Sequence, residues 1–143
     1  LDFLPGLLDG VLVGLNYTYT DADSKDDRDA VSNPGSGLVR GTSEHMANLS
    51  GFYENDWLSA RVSYNYRTEW YDGLSEFGSE MYIDDYGQVD ANVTISAWES
   101  WDIVFEGINI TGEELQQYHI DTGRKARLYD NGARYVVGFN YHF

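Results

Sequence analysis

The last ten residues, Arg134 to Phe143, alternate without a break. Tyr135, Val137, Phe139, Tyr141 and Phe143 form one apolar, mainly aromatic parity, and Arg134, Val136, Gly138, Asn140 and His142 form a smaller, more polar one. Successive side chains of a β-strand point to opposite faces, so the pattern describes a ribbon with one apolar side and one polar side. The apolar row continues to the terminal phenylalanine, where a water-soluble chain commonly carries loose polar residues. A strand that pairs along its whole length while showing an apolar row to lipid has this form.

The same pattern recurs upstream. Residues 11–20 set Val11, Val13, Leu15, Tyr17 and Tyr19 against Gly14, Asn16, Thr18 and Thr20, and residues 45–53 set Ala47, Leu49, Gly51 and Tyr53 against Asn48, Ser50 and Phe52. In residues 57–67, Leu58, Ala60, Val62, Tyr64 and Tyr66 oppose Ser59, Arg61, Ser63, Asn65 and Arg67. Two arginines on one face exclude a dry core on that side. Residues 86–97 divide into Val89, Ala91, Val93, Ile95 and Ala97 against Gln88, Asp90, Asn92, Thr94 and Ser96. Residues 101–111 place Trp101, Ile103 and Phe105 on the apolar side. A change of phase at Gly107, read as a bulge, is then needed for Ile108 and Ile110 to continue the row. The terminal segment is the sixth strand, and Leu1 to Phe3 read as the end of a seventh.

The connections alternate as well: residues 4–10, 54–56 and 98–100 are short, whereas 21–44, 68–85 and 112–133 are long. Long and short connections therefore fall at opposite ends of the strand array. Trp57, Trp98, Trp101, Tyr141 and Phe143 gather at the short-turn end, and Tyr17, Tyr19, Tyr64, Tyr66 and Tyr135 lie nearer the long-loop end. Two such aromatic belts are expected at the two membrane–water boundaries. The expected fold is all-β, an antiparallel transmembrane β-barrel of the bacterial outer membrane, with long loops outside the cell and Phe143 at the periplasmic rim. The smallest such barrels have about eight strands, and open sheet edges are not tolerated in hydrocarbon. The chain is thus expected to be the C-terminal wall of a larger barrel.

Composition narrows the alternatives. With nine Lys and Arg and a net charge of −15, the chain is not expected to bind nucleic acid, which needs clustered cations for phosphate. It has no cysteine, hence no disulfide, thiolate nucleophile or thiolate metal site. No run approaches the roughly 18 apolar residues of a membrane helix, and a negative mean hydropathy does not count against a barrel, since only alternate strand residues meet lipid. The opening Leu-Asp-Phe-Leu-Pro lacks the Met and the basic start of a secretory signal, so a piece of a longer protein is expected.

An ordered set of segments carries a more specific resemblance: Phe3-Leu-Pro-Gly6 before an Asp-Gly turn, Asn16-Tyr-Thr-Tyr-Thr20, Ser63-Tyr-Asn-Tyr-Arg67, Tyr86-Gly-Gln-Val-Asp90, Glu106-Gly-Ile-Asn-Ile-Thr111, and Gly132-Ala-Arg-Tyr135 leading to Phe143. On these residues the chain resembles the C-terminal barrel portion of a TonB-dependent outer-membrane receptor. Within that superfamily it is similar to the branch abundant in Xanthomonas- and Caulobacter-like bacteria. The resemblance implies a barrel of about 22 strands, of which residues 1–143 are a C-terminal segment, with an N-terminal plug in its lumen and nutrient import powered by the inner-membrane TonB complex. Plug and TonB box are not in these residues. It also implies outer-membrane lipid and lipopolysaccharide as surroundings, the barrel assembly machinery as a partner of the C-terminal signal Phe139, Tyr141 and Phe143, no cofactor, and no enzymatic activity. The branch favours a carbohydrate-type substrate, with an iron-siderophore second. Gly112-Glu-Glu114 departs from the family's usual Thr-Asp-Glu after that strand.

Candidate sites follow from residue type. Arg61, Arg67, Asp90, Glu106 and Arg134 fall on the polar parity and are expected to face the lumen and plug as a charge network. The long connections carry Trp70, Tyr71, Phe77, Tyr82 and Tyr118 with Arg124, Lys125 and Arg127; exposed rings there suit stacking on sugar rings or gripping a siderophore. Asp21 to Asp29 crowd five carboxylates into nine residues but lack the EF-hand glycine and distal glutamate, so a solvated loop is expected rather than a calcium site. His45, His119 and His142 show no metal or triad spacing, so neither a metal nor a catalytic site is expected. The sequons at Asn16, Asn48, Asn92 and Asn109 fall in strands and read as polar alternation. The rival reading is a passive porin-like or structural barrel without energy coupling.

Overall fold

The computed structural model describes residues 9–22 and 39–143. The expected strand end at Leu1 to Phe3 and the acidic run from Asp23 to Asp29 lie outside the described residues. In chain order the described strands are β1 (Val11–Tyr19), β2 (His45–Glu54), β3 (Leu58–Arg67), β4 (Trp70–Leu74), β5 (Glu80–Ile83), β6 (Tyr86–Trp98), β7 (Trp101–Ile108), β8 (Leu115–His119), β9 (Lys125–Tyr129) and β10 (Arg134–Tyr141). No helix occurs among the described residues.

The six long strands make one antiparallel sheet in the order β1-β2-β3-β6-β7-β10. Its register carries the alternation of each strand into the next. Leu15 pairs with Leu49, Leu49 with Tyr64 and Tyr64 with Val89, while Ala60 pairs with Val93, Val93 with Phe105 and Phe105 with Val137. One face is therefore apolar from the first strand to the last. The other is polar: Asn16, Asn48, Asn65 and Gln88 form one cross-strand row, and Gly14, Ser50, Ser63 and Asp90 the next. A slip of one residue in any strand would exchange the two faces, so agreement across five strand pairs fixes the register. The apolar face is left bare, with Leu15 74 % and Phe139 66 % exposed.

Rings mark the two ends of this sheet. At the short-turn end Trp101 and Tyr141 have centroids 4.8 Å apart, and Phe143 stands edge-on to Tyr141 at 5.2 Å. At the other end Tyr17 and Tyr19 flank the ring of His45, and Tyr64 stacks on Tyr66.

The phase change expected at Gly107 falls two residues later. Gly107 keeps regular pairing with Ala91 and Tyr135, and Ile108, opposite Arg134, lies on the polar face instead of continuing the apolar row. The extra residue follows: Asn109 takes a left-handed backbone with φ 52°, and Ile110 N–H then reaches Val89 O at 2.9 Å. Ile110 swings back over Gly107, where any Cβ would sit 2.9 Å from its side chain. The glycine supplies space for Ile110; the left-handed turn belongs to Asn109, a residue type that tolerates it.

The long connections 68–85 and 112–133, expected as loops, each fold into a hairpin. β4 pairs with β5, β8 with β9, and β5 with β8, giving a second sheet in the order β4-β5-β8-β9. The end of the first long connection lies along the β4 edge, through a Ser43–Trp70 bridge and the hydrogen bond from Gly41 N–H to Tyr71 O. The sheet owes its cohesion to Trp70, Tyr71 and Ile83, which are buried together with Ser43 and Gln117.

Candidate functional site

The two sheets meet around Arg67, the last residue of β3. Its guanidinium lies 3.7 Å from the centre of the Trp70 ring, and it donates from Nε to Ser43 Oγ at 2.9 Å and from a terminal nitrogen to Gly41 O at 2.8 Å. Ser43 Oγ in turn donates to Thr68 O, and His45 N–H donates to Thr68 Oγ1. Arg67 belongs to the polar face by register, yet its charged end is spent on the loop sheet. That differs from the expected lumenal network, and the reason is local: Trp70 three residues on offers a ring face, and Gly41 a carbonyl.

One side of the loop sheet carries a file of tyrosines. Tyr71 and Tyr82 meet edge to face at 5.6 Å, and Tyr82 and Tyr118 lie 6.2 Å apart. Tyr118 Oη donates to Glu69 Oε2. Burial, followed by this hydrogen bond and the Glu69 charge, holds the Tyr118 phenol well above the ordinary tyrosine range; burial is also the first cause of the upward shift at Tyr82. Beside them a cleft of about 500 Å³ is rimmed by Asp21, Glu44, Glu69, Asp84 and Asp85. The exposed rings expected here are corrected at two positions. Trp70 and Tyr71 are 8 % and 4 % exposed and form the floor of the sheet, because β4 is covered by the segment around Ser43. Tyr82 and Tyr118 are half-buried, and Phe77 at the β4–β5 turn stands 95 % exposed.

A second cleft, of about 750 Å³, brings Phe77, Leu74 and Met81 from the β4–β5 hairpin against Arg124, Lys125 and Arg127 from the β8–β9 hairpin. Two bulges shape it. The register shift after Tyr71 adds Asp72, which accepts from Gln117 Nε2 at 2.7 Å through one oxygen and from Arg40 Nε and a terminal nitrogen through the other. The shift after Gln117 leaves Ala126 as the extra residue, so Arg127 stands opposite Gln117 and Lys125 opposite Tyr118. Across the cleft Ser79 Oγ donates to Asp121 at 2.7 Å and lies 3.3 Å from His119 Nδ1.

On the polar face of the wall, Arg61 shares a cross-strand row with Asn92 and Glu106, and Arg134 pairs with Ile108. The Arg61 guanidinium sits 5.2 Å from the Phe52 ring centre. Asp90 accepts from Gln88 Nε2 and from the N–H of Asn109. Asn109, read from sequence as a strand sequon within the Glu106–Thr111 segment, is 4 % exposed and ties the connection 112–133 together. Its amide exchanges hydrogen bonds with Glu113 and donates to Gly132 O. The signal available was the asparagine itself, two positions past Gly107 in a strand whose phase had to change. At the short-turn end His142 Nε2 donates to Asp102 Oδ2 at 2.7 Å, but Ser96 donates to the same carboxylate instead of the imidazole, so no nucleophile–base pair results. No group of His, Asp and Glu suited to a metal ion occurs among the described residues.

Neither the curated proteins nor the solved structures contain a significant match to this sequence. The family model described as TonB dependent receptor-like, beta-barrel matches residues 6–110, which takes in the strands from β1 to β7. Together with the two-faced antiparallel sheet, this match establishes that the chain belongs to the TonB-dependent receptor β-barrel family, outer-membrane receptors of bacteria rather than enzymes.

Proposed function

We propose that the chain is the C-terminal wall of a barrel of about 22 strands that admits a scarce nutrient through a plugged lumen under TonB drive. The observation that carries the reading is the continuity of the apolar face from β1 to β10 opposite a mainly polar one. In a bilayer such a sheet needs partners along the outer edges of both β1 and β10, which a closed barrel provides. The rings at either end of the sheet suit the two headgroup regions, with the loop sheet outside the cell among lipopolysaccharide and Phe143 at the periplasmic rim, available to the assembly machinery. The polar row of Asn16, Asn48, Asn65 and Gln88, with Arg61, Asp90, Glu106 and Arg134, then looks at the plug.

The substrate class supported best is a carbohydrate, in keeping with the Xanthomonas- and Caulobacter-like branch that the sequence resembles. Tyr82, Tyr118 and Phe77 are ring faces set on paired hairpins, and such faces stack on sugar rings. The test is uptake of labelled oligosaccharides and ferric siderophores by cells carrying the full receptor, with TonB intact or deleted. TonB-dependent oligosaccharide uptake is expected. Siderophore uptake would move the receptor to that class, and uptake indifferent to TonB would make it a passive barrel.

A further inference from the structure

We infer that the 750 Å³ cleft of the loop sheet is a binding site for an anionic sugar, one that carries a carboxylate or phosphate beside its ring. This deepens the transport reading above and rests on it for the source of the ligand. The first observation is the distribution of charge. The chain has nine Lys and Arg against 24 Asp and Glu, yet Arg124, Lys125 and Arg127 fall within four residues and line one cleft. None of the three makes an ion pair among the described residues, whereas Arg40 on the same sheet is paired with Asp72.

All three are exposed, and clustered cations without ion pairs repel one another; the one side-chain partner among the described residues is the Tyr129 hydroxyl, 3.4 Å from an Arg127 terminal nitrogen. Salt confines the field of exposed charges to roughly 8–10 Å, so an approaching anion feels this cluster more than the acidity of the whole chain. Glu76 and Asp121 line the same cleft, and Asp121 is drawn to Ser79 by a hydrogen bond. They leave the cations in excess by one and provide a repulsive border that selects where the anion sits. The bulge at Ala126 sets Arg127 opposite Gln117, on the side of β8 that this cleft occupies. The guanidinium forks match carboxylate or phosphate oxygens two at a time, and the ammonium adds a point charge. Leu74, Met81 and Phe77 supply the apolar wall that the ring of a sugar covers. The volume lies within the roughly 300–1,000 Å³ of ordinary small-molecule sites.

The test uses the full receptor, purified free of lipopolysaccharide and titrated with oligoglucuronate, with a neutral glucose oligomer of equal length, and with vesicles containing lipid A. Oligoglucuronate should bind about ten-fold or more tighter than the neutral oligomer, with affinity falling as salt is raised. The combined variant R124Q/K125Q/R127Q should erase that preference, while the charge-preserving R124K/K125R/R127K retains most of it at unchanged heat-modifiable barrel content. Equal affinity for the charged and neutral oligomers, or a preference that survives the glutamine variant, overturns the inference. Cations that serve only to bind lipid A vesicles overturn it too, by assigning them to lipopolysaccharide phosphate. Binding is read on purified receptor without TonB, so intact binding with TonB-indifferent uptake would sink the transport reading and leave the cleft standing.

Discussion

At Tyr118, burial and a carboxylate act in the same direction on a single proton. The hydroxyl is half-buried beside Tyr82 and donates to Glu69, so the neutral phenol is favoured and its pKa is raised. Unfolded tyrosine loses its proton near pH 10. A group that holds its proton more tightly when folded contributes stability that is fully present below the unfolded pKa and is lost as pH rises toward the folded one. Tyr82 is shifted the same way, so the loop sheet should loosen progressively above about pH 10. Near-ultraviolet circular dichroism of the tyrosine file should report this loss. Tyr118→Phe should flatten it and, at neutral pH, weaken the sheet by about 1 kcal/mol. A signal that does not change until the barrel itself unfolds would mean that the file is not the alkali-sensitive part.

The two sheets were unequally legible in the sequence. In the wall, strands of 8 to 13 residues repeat the apolar row three times or more, and pairing carries one parity into the next, so β1, β2, β3, β6, β7 and β10 could be read directly. In the loop sheet the strands have four or five residues and are broken by extra residues at Asp72 and Ala126. Two turns of alternation are too few to stand out from a loop, and the pairing of β5 with β8 joins residues more than thirty positions apart, so nothing local announces it. Trp70 and Tyr71 looked like exposed rings for the same reason: what covers them comes from Ser43. The clamp at Arg67 tests whether the two sheets form one mechanical unit. Arg67→Ala removes two hydrogen bonds and the stacking on Trp70, which together contribute about 1–3 kcal/mol. Limited proteolysis of the full receptor should then cut the segments around Gly41 and Trp70 several-fold faster, while the heat-modifiable barrel remains. Unchanged cleavage would show that the loop sheet holds without the clamp.

Which face of the wall meets lipid is a property of the whole molecule: one face of the six-stranded sheet is apolar from β1 to β10 and the other mainly polar. The register makes the choice testable at two pairs of positions. Val62 and Val93 lie in the apolar rows, opposite Ala91 and Ala60, whereas Ser63 pairs with Asp90 and Asn92 stands between Arg61 and Glu106. An arginine at Val62 or Val93 has no polar neighbour in its row and would have to carry its charge into hydrocarbon, at a cost of about 2–4 kcal/mol near the bilayer midplane. An arginine at Ser63 gains Asp90, and one at Asn92 is attracted by Glu106 and repelled by Arg61, so neither should lose much in a water-filled lumen. Denaturant unfolding of the full receptor in vesicles should therefore separate Val62→Arg and Val93→Arg from Ser63→Arg and Asn92→Arg by that margin. Equal tolerance of both pairs would show this register to be wrong, and with it the placing of Arg61, Asp90, Glu106 and Arg134 toward the plug.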